Sequence, residues 1–400
     1  MTGTDIYKMA ERLFPICRSI TGEGVRKTLS IIREYIPELH IEEVSTGTKV
    51  FDWTVPKEWR IDEAYIEDSE GHRVVDLFEN NLHVMGYSGP LDIYCSKEEL
   101  MQYIYVQEEQ PDWIPYVTSY YSYKAGFCMS KRQRDSLPED IYHAVIKSEL
   151  FDGFLTYGEL IIRGETKQEV LLSTYICHPS MANNELSGPC LCTYLAKWIQ
   201  QIPNRKYTYR IIYVPETIGA ITYISRNINQ LKRSVVAGYV VSCVGDDRTY
   251  SYIPSRVGNT LADRAAKNAL FFQAGAYDQY TYLDRASDER QYNSPGIDLP
   301  VCVVCRSKYG TYPEYHTSAD NMDLITAKGL EESYQLYQKI LFNIEKNNKF
   351  QTQCLCEPQL GKRALYPDIS QKQTCSSRNI ILDFLAYADG KHDLLEISHI

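Results

Sequence analysis

Two histidines stand in polar clusters far apart in this chain. His178 belongs to His178-Pro-Ser-Met-Ala-Asn-Asn-Glu-Leu-Ser-Gly188, and His316 to Tyr312-Pro-Glu-Tyr-His-Thr-Ser-Ala-Asp320. A neutral imidazole is a ready ligand for zinc, and Glu185 supplies a carboxylate in the first cluster. Two such clusters far apart in sequence suggest one metal site assembled by the fold, where a bound water can be activated. Glu216, in Tyr213-Val-Pro-Glu-Thr-Ile-Gly219, ends an apolar run. A partly desolvated carboxylate near a cation can serve as general base. Each residue also has a plainer reading. A single histidine is more often satisfied in the core, and an acid at a helix start is stabilised by the dipole.

These residues need strands and helices to bring them together. The run Val170-Leu-Leu172 reads as a buried strand before His178, and Cys190 to Ile199 reads as a helix after it. Tyr207 to Pro215, Val235 to Val244 and Leu299 to Cys305 read as further strands. Ile218 to Asn227, Leu261 to Phe271 and Asp323 to Lys346 read as helices. Alternating strands and helices predict an α/β fold with a mostly parallel sheet flanked by helices, its chemistry at the carboxyl ends of the strands. Asp246 and Asp288 fall near such ends and are reserve acids. Glu289, Arg290, Arg306 and Tyr315 are candidate substrate contacts, with a structural ion pair to Asp288, Glu289 or Glu314 as the plainer reading of the arginines.

Short β-rich runs separated by turns occupy the region from Val50 to Tyr87. The expected organisation is a main domain over 1–45 and 124–350, an inserted β-rich domain over 46–123, and a linker with a short helical segment over 351–400. The linker covers 351–373. His143 to Leu150 and Gly158 to Arg163 read as paired strands.

The formal net charge of −10 argues against general binding to nucleic acid or to an anionic membrane surface. No apolar stretch is long enough to span a bilayer and the first residues lack a secretory pattern, so a cytoplasmic protein is expected. The 12 cysteines have no regular spacing and read as free thiols in a reducing compartment. Cys302 and Cys305 fall on one strand and face opposite sides, which disfavours a Cys-x-x-Cys site. Tyrosine (33) far outnumbers phenylalanine (11), so pockets can be aromatic and wet at once.

Several motifs carry a resemblance: Arg18-Ser-Ile-Thr-Gly22, Asp52-Trp-Thr-Val-Pro56, Cys177 to Gly188, Ser287-Asp-Glu-Arg-Gln-Tyr292 and Tyr312 to Asp320. With them the chain resembles the zinc aminopeptidase superfamily. It resembles more closely a bacterial family with an aminopeptidase-like domain, an inserted β-rich module and a winged helix at the C-terminus, often encoded near polysaccharide-biosynthesis genes. The resemblance implies an aminopeptidase-like fold and a metal-dependent peptidase or amidohydrolase acting on a small peptide, amino-acid or N-acyl substrate. It places the superfamily's histidine ligands on His178 and His316 and its general base on Glu216. The bridging aspartate falls on Asn184, a second glutamate on Thr217, and a further aspartate near Ser242. Those substitutions imply one zinc ion, held by His178, Glu185 and His316, with two ions left open and Asn184, Asp246 and Asp288 as additional or supporting groups. In related carboxypeptidases an arginine near Arg306 grips a substrate carboxylate. A non-catalytic descendant that binds a carboxylated or glycosyl ligand is the competing reading. The C-terminal segment resembles an incomplete winged helix, with packing or homo-oligomer formation expected ahead of DNA binding.

Overall fold

Among the described strands of five or more residues, three are buried along their whole length: Glu169–Tyr175, Thr208–Val214 and Val301–Cys305. Unbroken burial belongs to strands covered on both faces. In the computed structural model, which describes residues 2–365 and 376–400, they form the middle of an eight-stranded sheet. The spatial order is His40–Ser45, Phe154–Ile162, Thr208–Val214, Glu169–Tyr175, Val235–Val240, Val301–Cys305, Ser251–Ile253 and Asp278–Gln279. Thr208–Val214, Glu169–Tyr175, Val235–Val240 and Val301–Cys305 run parallel. Antiparallel strands flank them: Phe154–Ile162 on one side and Ser251–Ile253 on the other.

The chain leaves Glu169–Tyr175 for the neighbour on one side, Thr208–Val214, and then returns to the neighbour on the other, Val235–Val240. Connections that diverge in this way open a crevice beyond the carboxyl end of the central strand. Tyr175 pairs with Val214. His178 and Glu216, a few residues past these partners, therefore emerge at the same edge.

Helices Thr2–Leu13, Ser187–Gln201 and Ala327–Lys346 pack on one another, and Leu261–Gln273 packs on the last. Helix Ile218–Ser234 lies against Phe154–Ile162, Thr208–Val214 and Val235–Val240. Gly188 makes one of these approaches possible. A Cβ there would stand 2.3 Å from the Val241 carbonyl oxygen and 2.5 Å from Thr174 Oγ1. Only glycine lets the helix start this close to the strand ends.

A second, antiparallel sheet has the order Arg73–Asp76, Glu58–Glu67, Ile141–Phe151, Leu91–Ser96. Its own apolar cluster includes Ile66, Val75, Phe127 and Tyr142. The sequence reading ended this module at residue 123, but Ile141–Phe151 is one of its two inner strands and pairs with Glu58–Glu67 and Leu91–Ser96. The expected pairing of His143–Leu150 with Gly158–Arg163 does not form, because Phe154–Ile162 joins the large sheet instead. Strand character was visible in both runs, but partner choice depends on distant residues.

The C-terminal segment contributes more than helices. Lys349–Gln351 pairs antiparallel with Asp389–Asp393, beside helices Ser376–Tyr387 and Leu394–Ile397. Asp393 fixes it to the main body, accepting from Arg264 Nη2 at 2.7 Å and Asn347 Nδ2 at 3.0 Å. Part of the expected linker, 366–373, lies outside the described residues. Among the described residues no helix is long and apolar enough to cross a membrane, and every cysteine is free, Cys302 and Cys305 included.

Candidate active site

The first loop leaves the central strand through Cys177 and His178 and tightens into a single π turn, Ala182–Leu186, before helix Ser187–Gln201. Such turns frequently mark functional sites. The turn is clamped from the second loop. Asp320 accepts the Asn183 N–H at 2.6 Å and the Asn184 N–H at 3.0 Å, and its backbone carbonyl accepts the Ala182 N–H. Burial raises the Asp320 pKa to about 6, against the lowering effect of these donors.

His178 and His316 are brought together, with ring centroids 5.4 Å apart. His178 Nδ1 and Glu185 Oε2 share a hydrogen bond of 2.7 Å. On the other edge, His178 Nε2 lies 3.6 Å from Glu216 Oε2. Burial opposes the imidazolium, but the Cys177 sulfur and Glu185 override it, and the His178 pKa is raised well above its ordinary value. His316 takes a left-handed backbone (φ 57°), and its ring stacks on Tyr315 at 3.8 Å. Its Nε2 is buried without a hydrogen-bond partner. Burial and repulsion by His178 lower its pKa to about 3, so the ring is neutral at ordinary pH.

The sequence reading set Glu185 beside both histidines as a third ligand. Its carboxylate shares a hydrogen bond with the Nδ1 edge of His178, a place from which a carboxylate can orient a metal-ligating imidazole. The donor atoms of Cys177, His178 and Glu185 lie within 4.8 Å of one another. The buried Arg18 guanidinium stands beside that trio, its Nε 3.8 Å from Glu185 Oε1, and opposes a cation there. The Nε2 edge of His178 and the buried, unpartnered Nε2 of His316 offer zinc a pair of nitrogen donors. Two imidazoles on one tetrahedral zinc, with Zn–N near 2.0–2.1 Å, place their ring centroids about 5 Å apart.

Glu216 reaches this edge from the end of Thr208–Val214. Its Oε1 accepts from Ser287 Oγ at 2.9 Å, and its backbone N–H donates to Cys177 Sγ at 3.2 Å. Burial raises its pKa, against the effects of His178 and Ser287. Thr217 follows with φ 61° and ψ −79°, a costly backbone for a β-branched residue. Asp288 holds it in place, accepting the Thr217 N–H at 2.7 Å. The other oxygen of Asp288 is buried and unpartnered.

Other sequence candidates have different surroundings. Asn184 Oδ1 accepts from Tyr175 Oη at 2.9 Å. Asp246 is spent on Ser307, on the Arg248 N–H and on Asn183 Nδ2. Glu289 is wholly buried, and its Oε1 takes the N–H groups of Ala286 and Ser287 and the Tyr309 hydroxyl. Arg306 pairs with Glu332 at 3.0 Å and lies over the Tyr250 ring at 4.0 Å. Glu289 and Arg306, expected as substrate contacts, are thus engaged in building the loops. Arg290 donates to the Ser287 carbonyl and to Thr217 Oγ1. Tyr315 supports His316.

A cavity of about 420 Å³ opens over Cys177, His178, Glu216 and His316. Its walls include Trp53, Tyr116, Tyr120 and Tyr121, which sequence reasoning did not connect with the site. Tyr116 packs against both histidines, with ring centroids 5.2 Å and 5.1 Å away. Its backbone N–H donates to the His316 carbonyl at 2.9 Å. The tyrosine-rich run from 116 to 123 and the Asp52-Trp-Thr-Val-Pro56 motif were the signals available.

Comparison with known proteins bears on the whole chain. It is 46% identical over 400 residues to a Clostridium acetobutylicum protein provisionally named for polysaccharide biosynthesis with an aminopeptidase-like domain, a match covering 100% of this chain and 91% of that one. The crystal structure of a candidate peptidase from Clostridium acetobutylicum matches with a TM-score of 0.93 and 45% identity, over 100% of this chain and 91% of that chain. A zinc aminopeptidase from Bacillus subtilis is similar in fold, with a TM-score of 0.64 and 11% identity over 87% of this chain and 96% of that chain. The fold is aminopeptidase-like, and a winged helix-turn-helix model matches residues 348–400. The model described as a domain of unknown function, DUF4910, matches residues 7–347, and the chain belongs to that family.

Proposed function

We propose that the chain is a metal-dependent hydrolase that cleaves an amide bond of a small peptide, amino-acid or N-acyl substrate. The observation that carries this reading is the pair of imidazole edges at the cavity floor. His316 Nε2 is buried and unpartnered, and the His178 ring 5.4 Å away is oriented from behind by Glu185. His178 and His316 would hold one zinc ion. Bound there, zinc polarises a carbonyl and makes water more acidic. The protein groups do the rest. Glu216, its carboxyl pKa raised by burial, accepts a proton from water and returns it to the leaving amine. Ser287 fixes one Glu216 oxygen and leaves the other facing His178. Glu185 keeps the His178 ring in one orientation.

A second reading is a binding descendant of the same fold. It is favoured by Asn184, Thr217 and Ser242, which stand where the superfamily resemblance expects carboxylate ligands. The two readings separate in one assay. Zinc-loaded protein is offered a panel of amino-acid amides, dipeptides and N-acyl compounds, beside Glu216→Gln. The hydrolase reading expects turnover that falls about 10²–10⁴-fold in the variant while the fold is retained. Full turnover in Glu216→Gln, or binding with no turnover in either protein, removes it.

The provisional name of the Clostridium relative supports a link to polysaccharide biosynthesis. The free, mostly buried cysteines support a reducing, cytoplasmic setting. Asp393, bound to Arg264 and Asn347, supports a packing role for the winged helix ahead of nucleic-acid binding.

A further inference from the structure

The walls of the cavity say which molecules suit it. Trp53 is 38% exposed and Tyr121 58% exposed, and the two rings meet edge to face at 5.6 Å. They stand at the mouth with ring surface open to solvent. Trp53 is carried on the short hairpin Lys49–Val50 and Trp53–Thr54 of the β-rich insert, and Tyr121 on the segment by which that insert returns. Deeper in, the hydroxyls of Tyr116 and Tyr120 are 3.0 Å apart, with Thr118 also on the wall. The cup is therefore aromatic on its faces and hydroxylated between them.

Charge narrows the choice. Among the described residues Glu216 is the only carboxylate on the lining, and no lysine or arginine lies there. Nearby charged groups are hydrogen-bonded within the protein. Arg306 is paired with Glu332, Glu289 takes two N–H groups of its own loop and the Tyr309 hydroxyl, and Arg290 donates to the Ser287 carbonyl and to Thr217 Oγ1. A free peptide or amino acid brings a carboxylate, and desolvating it against a lining without lysine or arginine is costly. A pyranose ring brings a C–H face for stacking and hydroxyls for hydrogen bonds, with no charge. A cavity of about 420 Å³ lies in the range that takes one small molecule.

We propose that this cup binds a neutral N-acylated amino sugar, stacked on Trp53 and Tyr121, with its acyl-amide group turned toward His178, Glu216 and His316. The second half rests on the hydrolase reading above; the sugar site itself does not. In the reaction, the oxygen of water bonds to the acyl carbon and the C–N bond breaks. The nitrogen leaves with a proton as the free amino sugar, and the acyl group leaves as a carboxylic acid.

Two measurements on the full chain test this. The first is calorimetric titration with N-acetylglucosamine and N-acetylgalactosamine, and with leucinamide and leucyl-glycine as charged controls. At least one N-acetylated sugar should bind, and its affinity should drop tenfold or more in Trp53→Ala and in Tyr121→Ala. Both rings are exposed, and unchanged circular dichroism confirms that each variant is folded. Tighter binding of the charged controls, absence of binding by both sugars, or sugar affinity untouched in both variants overturns the proposal. The second measurement is release of acetate and free amine from the bound sugar with zinc present. Release that disappears in Glu216→Gln supports the site and the chemistry together. Binding that depends on Trp53 and Tyr121 without release keeps the sugar site and overturns the placement of its amide at a hydrolytic centre.

Discussion

Asp320 accepts the backbone N–H of Asn183 at 2.6 Å and so ties the loop of His316 to the loop of His178. Its second oxygen takes the Asn184 N–H and the Tyr312 hydroxyl, at 3.0 Å and 2.9 Å. Two loops distant in sequence therefore hold their histidines in register through one buried carboxylate. The π turn that follows His178 has its first N–H groups satisfied by the other loop.

Replacing Asp320 should loosen both loops. Asp320→Ala leaves buried N–H groups unpaired and is expected to cost about 2–4 kcal/mol in chemical denaturation, since hydrogen bonds to a charged group are worth about 1.5–3 kcal/mol each. A pH dependence follows as well. The folded pKa of about 6 is above the ordinary aspartate value of 3.8, so the folded state keeps its proton longer. The contribution is full below pH 4 and is lost as pH rises through 6. It amounts to roughly 2–3 kcal/mol at 1.36 kcal/mol per unit. Asp320→Asn should remove this fall between pH 4 and 6, and an identical slope in the two proteins would exclude Asp320 as its source.

In the proposed function, Glu185 acts on metal through His178. Glu185→Gln should weaken zinc binding about 10–100-fold, the usual effect of losing the partner that orients a ligating histidine. Competition with a chromophoric chelator measures it. Unchanged affinity would mean that the contact between Glu185 and His178 does not position the ring.

Arg210 makes the same kind of point for the scaffold. This buried side chain donates to Glu169 at 2.6 Å and 3.0 Å and also bonds Glu159 and Tyr223. Arg210→Ala strands Glu169 inside the sheet and should cost about 3–5 kcal/mol, read from urea denaturation. A loss below 1 kcal/mol would show that water reaches the carboxylates.

Much of the large sheet was legible in the sequence. Val170 to Leu172 and Val301 to Val304 are unbroken apolar runs, and such runs are how centrally buried parallel strands are written. His178 was legible because it comes shortly after the first of those runs, and Glu216 because it follows another apolar run, Ile211 to Val214. The insert was less so. Ile141–Phe151 has ordinary strand character, and nothing local tells it to pair with Glu58–Glu67 and not with the next strand along the chain. Glu185 was placed in the right cluster, but its contact is with Nδ1 of His178, and side-chain direction in a π turn is not readable from spacing. Glu289 and Arg306 looked available because their partners, Tyr309 and Glu332, are brought in by tertiary packing. The aromatic wall was missed for a similar reason. Trp53 and Tyr121 belong to different turns of the insert and meet only in the folded chain.

The central claim is that His178 and His316 share one cation through their open edges. X-ray absorption at the zinc edge, with metal content measured on wild type, His316→Ala and Cys177→Ser, tests it most directly. The account predicts one zinc per chain with nitrogen and oxygen neighbours only, lost in His316→Ala and kept in Cys177→Ser. A sulfur neighbour, or zinc that survives in His316→Ala and vanishes in Cys177→Ser, would put the metal in the trio of Cys177, His178 and Glu185 and contradict it.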